Sequence, residues 1–318
     1  MIEVTNVASI AKFSDRKKTK NVENKSMTGW FIEDFLVSEL QELRIKERFP
    51  MVRTTQFDGL YYIPTLEEAI QYVIGLTSNS TTKIRLYIET KHPTYFANAN
   101  LEMNQNLVNT LKKYNYVEYT MFQSFESTSL IAIKQILDTA NIHPLGYVML
   151  LDPNRTQYDT GKPYEEYLTE EGIEKASKFA TGFGPSWLLV TKEWVDMVHK
   201  KNMIIHPFTF RPEQYFLDKT NKYSTFKAFI TAFIELGVDG FFTEDIIQTR
   251  EIVRDYEASN IRDIILVLTA SAVVTVTGAV SLIIVILWKK KSSAVTSRNN
   301  SPLSRTSTKE YGGLQEDQ

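Results

Sequence analysis

Arg85-Leu86-Tyr87-Ile88-Glu89-Thr90-Lys91 decides how the rest of the chain is read. Along an extended strand, successive side chains point to opposite faces. Leu86 and Ile88 then share one face, fit for packing beneath helices. Arg85, Tyr87, Glu89 and Lys91 share the other. A carboxylate and an ammonium on the inner face, at the C-terminal end of a strand, stand where parallel α/β folds carry their chemistry. A hard divalent cation takes carboxylate oxygens, and a phosphate takes a nearby Lys. Taken alone, a structural Glu–Lys pair at a strand end explains the segment at least as well.

Outward from this strand, short apolar runs alternate with amphipathic stretches. The runs are Ile84–Glu89, Tyr119–Phe125, Gly146–Leu151, Thr181–Gly184, Met203–Thr209 and Gly240–Thr243. Helical patterns cover Leu66–Leu76, Asn100–Tyr114, Thr128–Thr139, Thr169–Phe179, Thr191–Lys201, Thr225–Leu236 and Glu244–Tyr256. Strict alternation predicts parallel strands joined by right-handed crossovers. Thr65-Leu66-Glu67-Glu68 and Thr169-Glu170-Glu171 put a hydroxyl at the N-cap and acids in the first turn. Six strand–helix units suit a doubly wound sheet, and a (β/α)8 barrel needs two more; periodicity does not choose.

Three other segments carry polar groups that suit chemistry. Gln123-Ser124-Phe125 ends a strand, and Gln123 there can donate to a phosphate oxygen or simply lid the sheet. His206-Pro207-Phe208-Thr209-Phe210-Arg211 runs from late in a strand into its loop. His206 suits acid–base work or a structural hydrogen bond, and Arg211 suits a phosphate or an acidic neighbour. In Gly237-Val238-Asp239-Gly240-Phe241-Phe242-Thr243-Glu244-Asp245, capping of the helix that begins at Ile246 accounts for the polar end. His92, His143 and His199 fall in loop or helix contexts and receive no role.

Composition sets the outer bounds. The 318 residues are 43% hydrophobic with a net charge of −2, so no global basic surface suggests nucleic acid. The absence of Cys excludes disulfides and zinc–thiolate sites. Met1–Lys20 is polar and holds no signal peptide. Ile264–Trp288 is 25 residues without a charge, followed by Lys289-Lys290-Lys291. That length reads as one transmembrane helix, spanning about 37 Å at the α-helical rise. Residues 289–318 form a Ser/Thr/Lys-rich tail without apolar periodicity, expected to be disordered. The basic flank on the C-terminal side places that tail in the cytosol and residues 1–258 outside it, in a single-pass membrane protein.

In order and spacing, these segments resemble the glycerophosphodiester phosphodiesterase family, in its periplasmic and secreted branch. The likeness runs from Thr5-Asn6-Val7-Ala8 and Phe13-Ser14-Asp15-Arg16 through Phe35 to Leu40 and Ile63-Pro64-Thr65-Leu66-Glu67-Glu68. It continues through Ile88-Glu89-Thr90-Lys91, Gln123-Ser124-Phe125, Gly182-Phe183-Gly184-Pro185, the His206–Arg211 segment and Gly237 to Glu244. The resemblance implies a TIM-type (β/α)8 barrel over residues 1–258. It implies hydrolysis of a small-molecule glycerophosphodiester to glycerol 3-phosphate and an alcohol, with a divalent cation, Ca²⁺ or Mg²⁺. Glu89 matches a metal ligand of the family and Lys91 its basic neighbour near the phosphate. Gln123, Phe208 and Arg211 are expected to line the substrate pocket.

The departures are as informative. The family's His-Arg-Gly strand, its Glu-x-Asp strand and its His-Asp lie upstream of the segment that here begins four residues after Met1. The expectation is therefore a barrel lacking its first two strands and both catalytic histidines, incomplete at its N-terminus and inactive as written. Glu244 stands where the family usually has Asp. The alternative, from another class, is a non-catalytic membrane-anchored barrel fragment with a binding or regulatory role.

Overall fold

A computed structural model describes residues 7–8, 10–259 and 261. The chain divides into two compact units, 1–253 and 254–318. Of the second unit only residues 254–259 and 261 are described, and they are helical.

The first unit opens with strand β1 (Val7–Ala8), hairpin strands β2 (Lys18–Val22) and β3 (Lys25–Gly29), helix α1 (Val37–Leu40) and strand β4 (Arg44–Ile45). β1 pairs antiparallel with β4, and β2 with β3. Helix α2 (Leu66–Leu76) then leads into the alternating part. In order, its elements are β5 (Leu86–Thr90), α3 (Pro93–Asn98), α4 (Met103–Lys113), β6 (Thr120–Ser124), α5 (Ser127–Thr139) and β7 (Gly146–Leu151). They continue through α6 (Glu170–Ala176), β8 (Gly182–Pro185), α7 (Lys192–His199), β9 (Ile204–Ile205), α8 (Gln214–Lys219) and α9 (Phe226–Leu236).

Local signals place the helices. Thr65 and Glu68 form a reciprocal cap: Thr65 Oγ1 accepts from the Glu68 N–H at 3.2 Å, and Glu68 Oε2 accepts from the Thr65 N–H at 2.7 Å. Thr169, Thr191 and Thr225 each accept from the N–H three residues on, at the starts of α6, α7 and α9.

Strands β5 to β9 form one five-stranded parallel sheet in sequence order. The bridge of Ser186 to Phe208 extends the pairing of β8 with β9, and a sixth parallel run is held by the single bridge of Phe210 to Thr243. The Phe210 N–H donates to Phe242 O at 2.9 Å and the Glu244 N–H to Phe210 O at 3.0 Å. The expected strand Met203–Thr209 contributes only Ile204–Ile205 to the regular ladder. Beyond these two residues the His206 and Phe208 N–H groups still donate to Phe183 O and Pro185 O, each at 2.9 Å. Across the sheet, Tyr87 of β5 meets Phe242 of the sixth run, with ring centroids 4.8 Å apart. The two edges are thus brought together by side chains.

Alternation decides the two faces. Phe122 of β6 and Tyr147, Met149 and Leu151 of β7 pack in one buried cluster with Val108 and Leu111 of α4, Leu130 and Ile133 of α5, Val195 and Val198 of α7 and Ile230 of α9. Leu86 and Ile88 pack against the same cluster. Every residue of β7 is buried, as expected for a parallel strand covered on both faces.

The membrane expectation is corrected. The candidate span 264–288 and the tail 289–318 lie outside the described residues. Among the described residues no helix is long and apolar enough to cross a membrane. α5, with 13 residues, rises about 20 Å against a hydrocarbon core of about 30 Å. The fold supported is the α/β barrel-type sheet without the C-terminal transmembrane helix. The single-pass topology, the extracytoplasmic placement and the bilayer partner rested on that helix and are withdrawn with it.

Candidate functional site

The strand ends gather the site. Glu89 of β5 and Gln123 of β6 are register partners on the face turned away from the helices, one residue short of each strand's C-terminal end. Glu89 Oε1 and Gln123 Oε1 are both buried, and neither has a hydrogen-bond partner among the described residues. Burial pushes the Glu89 carboxyl above its ordinary value, while the charges of Lys91, His92 and Arg155 pull it partly back. Lys91 is exposed two residues further on and makes no ion pair among the described residues.

Phe208 reaches the same rim from the other side of the sheet. It bridges to Ser186 beyond the end of β8 and meets Phe125 edge-on, with centroids 5.8 Å apart. Phe125 directly follows β6, so Phe208, Gln123, Glu89 and Lys91 all belong to the C-terminal ends of the strands.

Arg211 is placed differently. Its Nε donates to Glu244 Oε1 at 2.8 Å, and its guanidinium stands 4.9 Å from the Phe216 ring centre. Arg53 joins both Glu213 and Glu244. Phe49 and Phe216 pack edge-on at 5.0 Å between these guanidinium groups. Arg211 is committed to this clamp, with Glu244 holding it where a shorter Asp would fall back by one methylene.

The histidines carry no acid–base pair at the rim. His206 Nδ1 lies 3.1 Å from Tyr87 Oη, and burial pushes its imidazole below the ordinary value. His199 Nε2 contacts Asp239 at 2.9 Å on an exposed surface. His92 Nδ1 lies 2.6 Å from Glu23 Oε1.

The residues present were tested against a divalent cation. The orphaned oxygens of Glu89 and Gln123 are of the right hard, acceptor type. A cation such as Ca²⁺ takes six to eight oxygens, several of them charged. Among the described residues no group of three or more His, Cys, Asp or Glu could hold a metal ion. These residues therefore fall short of a metal site by themselves.

Several elements were not predicted from sequence, the β2–β3 hairpin and helix α3 among them. The β2–β3 hairpin has few apolar residues to announce it. Helix α3 could have been read from Pro93, since Pro favours the first position of a helix.

Comparison with known proteins agrees with the geometry. Residues 3–248 match the Glycerophosphoryl diester phosphodiesterase family. The glycerophosphodiester phosphodiesterase GDPD6 of Arabidopsis thaliana is 29% identical over 269 residues, covering 76% of this chain and 69% of the plant protein. A glycerophosphodiester phosphodiesterase of Haemophilus influenzae is 25% identical over 252 residues, covering 68% of each chain. The fold is similar to the crystal structure of a putative glycerophosphoryl diester phosphodiesterase from Silicibacter pomeroyi, with a TM-score of 0.54, 19% identity and 76% of each chain covered. The chain belongs to the glycerophosphoryl diester phosphodiesterase family, a family of phosphodiester hydrolases.

Proposed function

We propose that the C-terminal rim of the sheet receives the phosphodiester of a glycerophosphodiester, with Glu89, Lys91, Gln123 and Phe208 as the receiving residues. The reaction class, from family membership, is hydrolysis to glycerol 3-phosphate and an alcohol. The observation that carries the assignment is the pair of register partners Glu89 and Gln123, each with a buried oxygen left unpartnered. A buried acceptor without a partner costs about 1–3 kcal/mol, which a fold tolerates where a donor completes it, here a hydroxyl of the glycerol moiety, because the phosphoryl oxygens are themselves acceptors and are met by Lys91 and the Gln123 amide.

Each residue has a part that its chemistry supports. Lys91 supplies an unpaired positive charge to non-bridging phosphoryl oxygens. The Gln123 amide N–H donates to one of them. Phe208 and Phe125 form an apolar wall that keeps water from the back of the diester. Glu89 supplies one anionic oxygen, which alone does not make a cation site, so no step is assigned to a metal. None of the four histidines stands ready to deliver a proton to the leaving oxygen. General acid–base work contributes typically 10²–10⁴-fold, so the 318 residues by themselves are expected to turn over glycerophosphocholine at no more than background rate.

The experiment is a titration of the full chain with sn-glycerol 3-phosphate, alongside Lys91→Ala. Loss of a hydrogen-bonded charge on phosphate should weaken binding roughly ten- to hundredfold, with an unchanged melting temperature. No binding by the wild type, or equal binding by the variant, rejects the site. Chelator-sensitive turnover by the unmodified chain rejects the expectation of background activity.

A further inference from the structure

The two-residue turn of the β2–β3 hairpin is Glu23-Asn24, with both residues at positive φ, 51° and 63°. Such turns favour Asn, Asp or Gly, and a Glu in the first place is a poor choice for the backbone. Its side chain supplies the reason for it. Glu23 Oε1 lies 2.6 Å from His92 Nδ1, and Glu23 Oε2 accepts from Arg155 Nη2 at 2.6 Å. One carboxylate thereby joins three elements: the hairpin, the segment directly after Lys91, and the loop after β7. His92 is itself at positive φ, 55°, where the chain turns from β5 into α3. Arg155 stands 5.6 Å over the Phe125 ring, and Phe125 carries Phe208 on its other contact. Strained backbone at two of these positions, converging on one carboxylate, is the pattern of a functional tie. The side chain is half-withdrawn from water, and burial opposes its ionisation. Hydrogen bonding and charge from His92 and Arg155 more than offset that and hold the carboxyl below its ordinary value.

We propose that Glu23 is a positioning residue: it docks the hairpin across the mouth of the sheet and fixes the Lys91–His92 segment and Arg155 on the two flanks of the phosphate pocket. This rests on the site assigned above. The carboxylate touches no reacting atom. It sets where the Lys91 ammonium and the Phe125–Phe208 wall stand, through His92 on one side and Arg155 on the other. A displacement of such groups by about 1 Å costs up to roughly a hundredfold in productive binding or rate.

The test uses the full chain with Glu23→Gln and Glu23→Asp, read by amide hydrogen exchange and by titration with sn-glycerol 3-phosphate. Glu23→Gln removes the charge and keeps the shape. It should speed exchange across residues 18–29 and 91–94 by about tenfold and weaken glycerol 3-phosphate binding by about tenfold, with the melting temperature within about 2 °C of wild type. Glu23→Asp keeps the charge and should recover affinity to within about threefold. Faster exchange with unchanged affinity would mean that the tie is structural only, and overturns the proposal. So would unchanged exchange, or a Glu23→Asp protein as weak as Glu23→Gln. Failure of the wild type to bind glycerol 3-phosphate rejects the site itself and the part of the proposal that concerns phosphate. The docking of the hairpin is then decided by the exchange data alone.

Discussion

Two charged groups of residues sit at strand ends on opposite flanks of the sheet, and they differ in one respect. Beyond β9, Arg53 and Arg211 meet Glu213 and Glu244 charge for charge, with both guanidinium groups against the edge-on rings of Phe49 and Phe216. At the ends of β5 and β6, Glu89 and Gln123 keep buried oxygens without partners, and the Lys91 ammonium makes no ion pair, among the described residues. From sequence, Arg211 of the first group and Glu89, Lys91 and Gln123 of the second read as candidate ligand-binding residues. The first pairs its charges with one another, as a structural clamp does, although Glu213 Oε2 is also buried without a partner among the described residues. The second leaves buried acceptors unmet among the described residues beside an exposed cation, and unmet buried acceptors are tolerated where something else arrives to meet them.

The comparison breaks most readily at the clamp. Arg53→Ala leaves the Glu213 and Glu244 side chains, each less than a third exposed, with one cation fewer between them. Removing one partner of a largely buried ionic group is costlier than the pair is stabilising, because the remaining charge stays desolvated. Allowing for partial exposure, a loss of about 2–3 kcal/mol is expected, lowering the melting temperature by roughly 6–8 °C. Affinity for glycerol 3-phosphate should not change. A variant that melts normally but binds poorly would exchange the roles of the two groups.

At the other group the sign reverses. Burial raises the Glu89 carboxyl above its ordinary 4.5, so its charge is a cost to the unliganded fold at neutral pH. A raised carboxylate contributes stability below its unfolded value and loses it as pH rises through the folded one. Glu89→Gln removes the charge and should raise the melting temperature by about 2 °C near pH 7.5, the scale of gain usual when a functional residue is replaced. The gain should shrink toward pH 4.5, where the wild-type carboxyl also becomes neutral. A loss of stability, or a gain independent of pH, would show that Glu89 is a satisfied structural acid like those of the clamp.

What the sequence made legible follows from the range of the interactions involved. Helix α2 was read to both its ends because Thr65 and Glu68 cap it within four residues. The face of β5 followed from alternation, which put Glu89 on the side turned away from the helices. The clamp could not be read: Arg53 finds Glu213 and Glu244 at separations of 160 and 191 residues, and no local pattern announces such a meeting. Arg211 consequently looked available for phosphate. The β2–β3 hairpin was missed for a different reason. Lys18–Val22 and Lys25–Gly29 bury only their last residues, so they lack the apolar alternation that marks a strand. Glu23 at their turn contradicts ordinary turn chemistry, and a conflict between local preference and observed structure is where function is to be sought.

The smallest effect tests whether the interior of the sheet has any chemistry of its own. His206 sits with its ring 5.8 Å from that of Tyr87, and a Cβ on Gly240 would come within 2.8 Å of its Cδ2. The glycine therefore leaves room for the imidazole, and Tyr87 gives it a hydrogen bond, as expected of a packed polar layer. Burial pushes the imidazole below its ordinary 6.5, with Asp239 opposing. Below about pH 6.5 the unfolded chain then binds a proton that the folded chain resists. Stability from this group is complete above the ordinary value and is lost as pH falls through the folded one. The wild type should accordingly lose about 2 °C more than His206→Gln between about pH 7 and pH 5.5, since the amide cannot be charged. Glu89 moves the other way over acid pH, so measuring the two variants together separates them. Parallel melting curves for wild type and His206→Gln would place His206 in contact with water and reopen it as an acid–base candidate. The expected divergence keeps it as the structural partner of Tyr87, apart from the phosphodiester site proposed at the rim.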